Sequence, residues 1–477
     1  MSDFMNKISD YITNFEYESI SEKMFQLSKM AIIDTVGSAI AGFNEPAVLK
    51  VETVFSKSIK DGEGASVWRG GNKVRLEHAA LINGVATHAL DYDDVAPSIL
   101  AHPSAPLTAV ILPFAEEYGK SGKEVIAAFV IGTEVMTKIG KLMGFRHYDQ
   151  GWHATSTLGA IGGAAACAYL AELSEEKTKN AIAISASMSS GLQKNFGTMT
   201  KPLHVGLAAQ NSVQAVLLAI EGFEANHKIF EERGFFQAFT GEMHDETLNQ
   251  KIKEVKFGGL HDFEENGLSV KKFACCYFMH RFTAGVLELR NENSLTIDDV
   301  EEIQITVPPG GYTALIHSNP QTGLQGKFSA EYACLAALED GVIQLQTFTD
   351  EEVQRTVIQQ NLHRVIRKEG KGKMVDAREL ENLPVHVRIT TRQGKSVEKE
   401  IFHAPGSKEK PMTIEEYKDK WHDCLNYSAS EPLSTEQKRF SEYLFEQAVN
   451  LEEFADIGAW IIGLSQLFEQ IEEKISL

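Results

Sequence analysis

The 477-residue chain is 43% hydrophobic, carries a formal net charge of −20 and holds five cysteines. Its length exceeds what one hydrophobic core usually serves, so two domains are expected, with ample apolar content for both. The acidity and the lack of a Lys/Arg stripe with interleaved aromatics argue against nucleic acid or an anionic membrane as partner. The cysteines, at 167, 275, 276, 334 and 424, form no CxxC pair, which argues against a disulfide framework and against a zinc or iron–sulfur cage. A reducing cytoplasm fits them best. The start, Met1-Ser-Asp-Phe, has no basic flank leading into an apolar run, and no stretch reaches roughly 18 uninterrupted apolar residues. A soluble, unexported protein is the expectation.

From about Ser21 to Gly267 apolar residues recur at three and four, Gly and Ala are frequent, and strand-like alternation is scarce, which predicts helices throughout. The segment Ala79 to Ala89 is one helix. Ser121-Gly-Lys-Glu124 reads as a capping box opening a helix from Val125 to Leu142, and Ser174-Glu-Glu opens another towards Ser185. Gly159 to Leu173 is too small and too apolar for a surface helix and is expected at the bundle centre. His153 then precedes a buried helix N-terminus, where amide donors favour carboxylates.

After Gly267 the texture changes. Ile303, Ile305 and Val307 alternate with polar residues, as do Val385, Val387 and Ile389 before the turn Gln393-Gly394, with Val397 to Phe402 returning. These predict strands, antiparallel in part. Helices are expected between them, one opened by Thr296-Ile-Asp-Asp299 and one from Ser329 to Leu338. Ala404 to Pro411 reads as a linker, followed by helical sequence from Thr413 that returns to the first domain. The fold class expected is mainly α, a large all-helical domain with a smaller inserted α+β domain, divided as 1–266, 267–404 and 405–477.

Polar clusters interrupt this apolar sequence. His88-Ala-Leu-Asp-Tyr-Asp-Asp94 places three carboxylates within four positions; buried together, at least one must be protonated, paired or metal-bound. Taken alone, solvated acids at a helix C-terminal turn are the better reading, and no second carboxylate cluster supports a metal. His102-Pro-Ser104 breaks before a helix that Ser104 is placed to cap. Gly151-Trp-His153-Ala-Thr155 offers a histidine with Thr155 as a cap. Lys201 and His204 lie three apart across Pro202, and the lysine either reaches solvent or holds a carboxylate. In the second region Lys271-Lys272 precede Cys275-Cys276 and His280, which taken alone is better read as an interdomain hinge with a buried histidine. Tyr332, after Lys327-Phe-Ser329, suits a core or a pocket hydroxyl, and taken alone the core is the better reading. A net-negative chain that binds a polycarboxylate needs a local positive field, which His102, His153, Lys201, His204 and His280 are placed to supply.

In order and spacing, these stretches, with Thr200-Lys-Pro-Leu-His-Val-Gly206 and Pro405-Gly406 to Pro411, resemble the MmgE/PrpD family, whose members include cis-aconitate decarboxylases, 2-methylcitrate dehydratases and iminodisuccinate epimerases. The resemblance spans nearly the whole chain. It implies an all-helical domain, an α+β lid with the site in the cleft between them, a homodimer, and no metal, cluster or organic cofactor. By matching position it implies site roles for Asp91, His102, His153, Lys201, His280 and Tyr332. Lys201 and His280, with Lys272 and His204, are then expected to bind substrate carboxylates, and His102 and His153 to move protons. Asp91 orients or tunes an imidazole, and Tyr332 bonds substrate or a histidine. The wording of the Thr200 to Gly206 run is closest to the decarboxylase and epimerase branches, so cis-aconitate decarboxylation leads, with dehydration, epimerisation and non-catalytic carboxylate binding as the other readings.

Overall fold

A computed structural model describes residues 3–55, 64–242, 246–373 and 383–472. The chain forms two compact units, Met1–Leu268 together with Cys424–Leu477, and Ser269–Asp423.

The helices of the first unit that position the site are α1 (Glu22–Gly42), α2 (Leu76–His88), α3 (Ser104–Glu117), α4 (Gly122–Met143), α5 (Ala154–Leu170), α6 (Glu175–Met188) and α7 (Thr200–Ile220), and the helices Thr435–Val449 and Gly458–Glu472 return to the same unit. Helix α5 is central. It packs against α3, α4, α6 and α7, and of its residues only Tyr169 escapes full burial. Small residues make this possible. A Cβ on Gly84 of α2 would come within 2.8 Å of the Gly206 Cα on α7, and one on Gly162 of α5 within 2.7 Å of the Gly132 carbonyl on α4. These helices meet backbone to backbone, and any larger side chain at those points would wedge them apart.

The expected helix starts are found in place. Ser121 caps α4 in a capping box completed by Glu124, and Ser174 accepts from the Lys177 amide at the start of α6. Helix α7 begins at Thr200, ahead of the small-residue run, with Pro202 in its first turn, where a missing N–H costs nothing. By length and mean hydropathy α7 is apolar enough to cross a membrane, but over half of its apolar window is buried within the protein.

In the second unit, helices α8 (His280–Asn293) and α9 (Ala330–Asp340) pack on each other, and α8 packs on a four-stranded sheet. Its strands are β1 (Val300–Val307), β2 (Val365–Glu369), β3 (Val385–Thr391) and β4 (Ser396–Ile401), in the order β2-β1-β3-β4. β2 runs parallel to β1; the β1–β3 and β3–β4 pairs are antiparallel, with Ile303 opposite Ile389 and Ile305 opposite Val387. The alternating residues Ile303, Ile305, Val387 and Ile389 are fully buried.

Two local expectations fail. Thr296 does meet Asp299 as a capping box would, with the Asp299 carboxylate accepting from the Thr296 amide and hydroxyl at 2.9 and 2.6 Å. Yet the chain turns directly into β1 there, because the β-branched alternation that follows favours a strand. Ala404–Pro411 is not a loose connection. Val270 donates to the Gly406 carbonyl at 2.9 Å, Gly406 donates to Lys410 at 2.8 Å, and residues 404–407 are buried in the second unit, which continues to Asp423. A Cβ on Gly406, at φ 86°, would strike the Val270 carbonyl at 1.9 Å, so only glycine closes this turn.

Candidate active site

The chemistry-bearing residues of the first unit gather where helix α2 ends and α5 and α7 begin. Because Gly84 and Gly206 lock α2 against α7, the last residue of α2, His88, comes to the same place as Lys201 and His204 in the first turns of α7. The chain leaves α2 through Asp91, which holds φ 54°, a left-handed conformation that Asp tolerates better than most residues.

The three carboxylates of this turn take three different states. Asp91 Oδ1 pairs with Lys201 Nζ at 2.9 Å. Asp93, fully buried, lies 2.8 and 2.9 Å from His88 Nδ1 and 3.3 Å from His102 Nδ1. Burial alone would raise its pKa, but the two imidazoles hold it well below the usual carboxylate range. Asp94 is also fully buried, and the loss of hydration pushes it up to about 8, against a weaker lowering by Ser104. One acid is thus paired with an ammonium, one is clamped by imidazoles and one is protonated. The reading as solvated acids is overturned for Asp93 and Asp94, which have no exposed surface, while Asp91 keeps partial exposure.

The caps of the surrounding helices are rearranged accordingly. Ser104 is the first residue of α3, and its amide is taken by Asp94 Oδ1 at 3.4 Å. Thr155 spends its hydroxyl on the His102 amide, accepting at 3.0 Å. This ties the loop that carries His102 to the N-terminus of α5.

His153 is the N-cap residue of α5, with no side-chain cap bond. Its strand-like approach is sewn to the 191–193 segment: its amide donates to Gly191 at 3.0 Å, and the Gln193 side chain donates to Tyr148 and Trp152 carbonyls at 2.7 and 2.9 Å. His153 Nδ1 lies 3.1 Å from His204 Nδ1, so one of the two nitrogens carries the proton between them. The His153 ring packs 5.9 Å from His88 and edge-on to Phe196 at 4.9 Å, and Lys201 Nζ sits 5.4 Å from the same Phe196 ring.

Burial lowers the pKa of His153 far below the ordinary value, helped by the positive field of its neighbours, and it lowers His204 and takes His88 down to about 4. These three are therefore neutral at pH 7. The local positive field expected from several histidines reduces, for this group, to the Lys201 ammonium, while the neutral imidazoles supply proton donors and acceptors.

His88, Asp91, Asp93 and His102 present ligand atoms within 4.8 Å of one another, the spacing of a metal site. They do not suit a divalent ion. The Lys201 ammonium, 2.9 Å from Asp91, puts a fixed positive charge where the ion would sit, and both imidazoles direct Nδ1 at the Asp93 carboxylate.

The second unit holds the other expected residues. His280 opens α8 fully buried, with no hydrogen-bond partner for either ring nitrogen among the described residues. Burial, and then the charge of Lys271, push its pKa down to about 3. Lys271 is itself buried and stands beside His280, whereas Lys272 turns to an ion pair with Glu416. Lys272, expected to bind a substrate carboxylate, has its ammonium on the Glu416 carboxylate instead. Tyr332 is a core residue: it has no exposed surface, and its hydroxyl donates to the Thr347 carbonyl. That bond leaves the hydroxyl no proton to give a substrate.

Sequence reasoning passed over His88 and Asp93. The signal was present, since a histidine five residues before an aspartate spans a helix end and the following turn, but their partner His102 joins them only through the fold.

The chain is similar to the cis-aconitate decarboxylase of Homo sapiens, 26% identical over 462 residues that cover 92% of this chain and 89% of the human protein. It is 26% identical to that of Mus musculus over 425 residues, covering 86% and 84%, and 24% identical to that of Aspergillus terreus over 480 residues, covering 95% and 94%. The MmgE/PrpD N-terminal domain profile matches residues 6–247 and the C-terminal domain profile residues 273–444. With both domain profiles matched in order across most of its length, the chain belongs to the MmgE/PrpD family.

Proposed function

We propose that the protein is a cofactor-independent lyase for a small polycarboxylic acid, and that its reaction is decarboxylation of cis-aconitate to itaconate. The observation that carries this reading is the convergence of Lys201, Asp91, His102, His153 and His204 on one place in the first unit. Relatives named for that reaction, matched over most of both chains, support the choice of substrate.

The chemistry follows from the product. The alkene π pair of cis-aconitate takes a proton at its CH carbon. The bond from the methylene arm to its carboxylate breaks, CO2 leaves, and that bond's electrons form the new terminal alkene. The residues must therefore hold two remaining carboxylates, deliver one proton and tolerate the charge in transit. Lys201 supplies the fixed charge for a carboxylate, with Asp91 holding its ammonium in place. His102 and His153 are the proton carriers, and His204, on the far side of His153 Nδ1, takes or returns the proton that sets the His153 tautomer. His280 is proposed as a further carboxylate ligand because the family resemblance implies a site role for that position. We extend the proposal to an α+β lid role for residues 267–404, a homodimer and a cytoplasmic protein.

The test is incubation of the purified protein with cis-aconitate, 2-methylcitrate and iminodisuccinate, followed by proton NMR. Itaconate with CO2 from the first acid alone is the expected result. Water loss from 2-methylcitrate or racemisation of iminodisuccinate would move the protein to another branch, and saturable binding without turnover would make it a carboxylate-binding protein.

A further inference from the structure

Asp93 lies behind His102, on the side away from Lys201. It has no exposed surface, and its two oxygens meet two imidazole nitrogens, His88 Nδ1 at 2.8 and 2.9 Å and His102 Nδ1 at 3.3 Å. The rings of His88 and His102 stand 4.6 Å apart at 67°, flanking the carboxylate. An ionised carboxylate only accepts, so His88 Nδ1 carries hydrogen, and His102 Nδ1, facing the same carboxylate at 3.3 Å without the full geometry of a hydrogen bond, is placed to present its own hydrogen there. The remaining nitrogen of His102, Nε2, faces Asp91 Oδ1 at 3.9 Å, the same oxygen that receives the Lys201 ammonium.

We propose that Asp93, held by His88, is a positioning residue that fixes His102 as the Nδ1–H tautomer, so that Nε2 is the atom that exchanges a proton with substrate beside Lys201. His88 has no other task visible in the fold. It is completely buried, its Nε2 has no hydrogen-bond partner among the described residues, and it is neutral at pH 7 because burial lowers its pKa to about 4. A neutral His88 donates through Nδ1 and leaves the negative charge of Asp93 available to His102. The backbone of His102 is pinned separately by Thr155, so ring orientation is the degree of freedom that Asp93 controls. An orienting carboxylate behind an imidazole sets which nitrogen is basic. Here the same carboxylate is itself oriented by a second imidazole. The tautomer claim stands on geometry alone; its catalytic consequence rests on the function proposed above.

The experiment uses the full chain with 15N-labelled histidine and two-bond 1H–15N correlation spectra, comparing wild type with Asp93→Asn, His88→Gln and His88→Ala. In wild type the His102 signals should be those of the Nδ1–H form. In Asp93→Asn they should move towards the Nε2–H form, and kcat on cis-aconitate should fall on the order of 10²-fold or more with KM held within about threefold. His88→Gln, which keeps a donor, should retain several times the kcat of His88→Ala. If wild type turns over none of the acids, the spectra still decide the tautomer claim, so the two readings fail separately. Should Asp93→Asn not fold, the shift in His88→Ala decides instead. An unchanged His102 tautomer in Asp93→Asn, or in His88→Ala where that decides, would overturn the proposal, as would an unchanged kcat in Asp93→Asn of a wild type that turns over.

Discussion

Asp94→Asn should stabilise the protein, and increasingly so as pH rises. Asp94 is fully buried, with Oδ1 on the Ser104 amide at 3.4 Å and no partner for Oδ2 among the described residues, and its carboxyl is pushed up to about 8 by burial. In the unfolded chain an aspartate ionises near pH 4. Above that pH the unfolded state gains free energy by releasing a proton that the folded state keeps, so the wild type loses stability steadily until the folded carboxyl ionises too. At pH 7 about three pH units separate the unfolded pKa from the medium, and each is worth about 1.4 kcal/mol, so the penalty is about 4 kcal/mol. An asparagine is close in shape to the protonated acid, still accepts from Ser104 and does not titrate. Urea denaturation of wild type and Asp94→Asn between pH 4 and 8 should therefore show curves that nearly coincide at pH 4 and separate by up to about 1.4 kcal/mol per pH unit above it. A gap that stays constant across that range would refute the assignment of a neutral carboxyl at this position.

Lys201→Met should lower kcat/KM for cis-aconitate by about 10²-fold or more, with a thermal midpoint within about 2 °C of wild type because both partners of the Asp91 pair are partly exposed; steady-state kinetics beside a melting curve would show whether activity and stability separate in this way. Gly84→Ala should destabilise by about 1–3 kcal/mol, since the new methyl would stand 2.8 Å from a backbone carbon that cannot yield; an unchanged melting midpoint would contradict the close approach. Dialysis against EDTA should leave activity within about twofold, because Lys201 already occupies the electrostatic position of a cation beside Asp91, and a loss restored by a divalent ion would reverse that view.

How far these features were legible in the sequence depended on how local their causes are. The capping box at Ser121, the small-residue helix after His153 and the alternation of Ile303 to Val307 are each fixed by neighbours a few residues away, and each was readable. Thr296 to Asp299 gave a false helix start because the same side-chain closure also ends a turn before a strand. The acid cluster was harder. What Asp91, Asp93 and Asp94 are partnered with depends on Lys201, His102 and Ser104, which arrive from other elements, and Lys201 is 110 residues away from Asp91. Periodicity likewise could not tell which of Lys271 and Lys272 is enclosed, since adjacent side chains in an irregular segment take their directions from the packing around them.

The contact between Gly84 and Gly206 has a consequence for how such a protein can diversify. It acts as a fixed hinge pin about one helical turn from the end of α2 that carries His88 and a similar distance from the Lys201 end of α7. Sliding either rod along the other would drag its reactive end out of register, so the spacing between these groups is frozen by atoms that never meet a substrate. New substrate preferences must then be sought in the adjustable segments, residues 95–101 and 189–199, whose lengths and side chains can vary while the scaffold keeps its gauge.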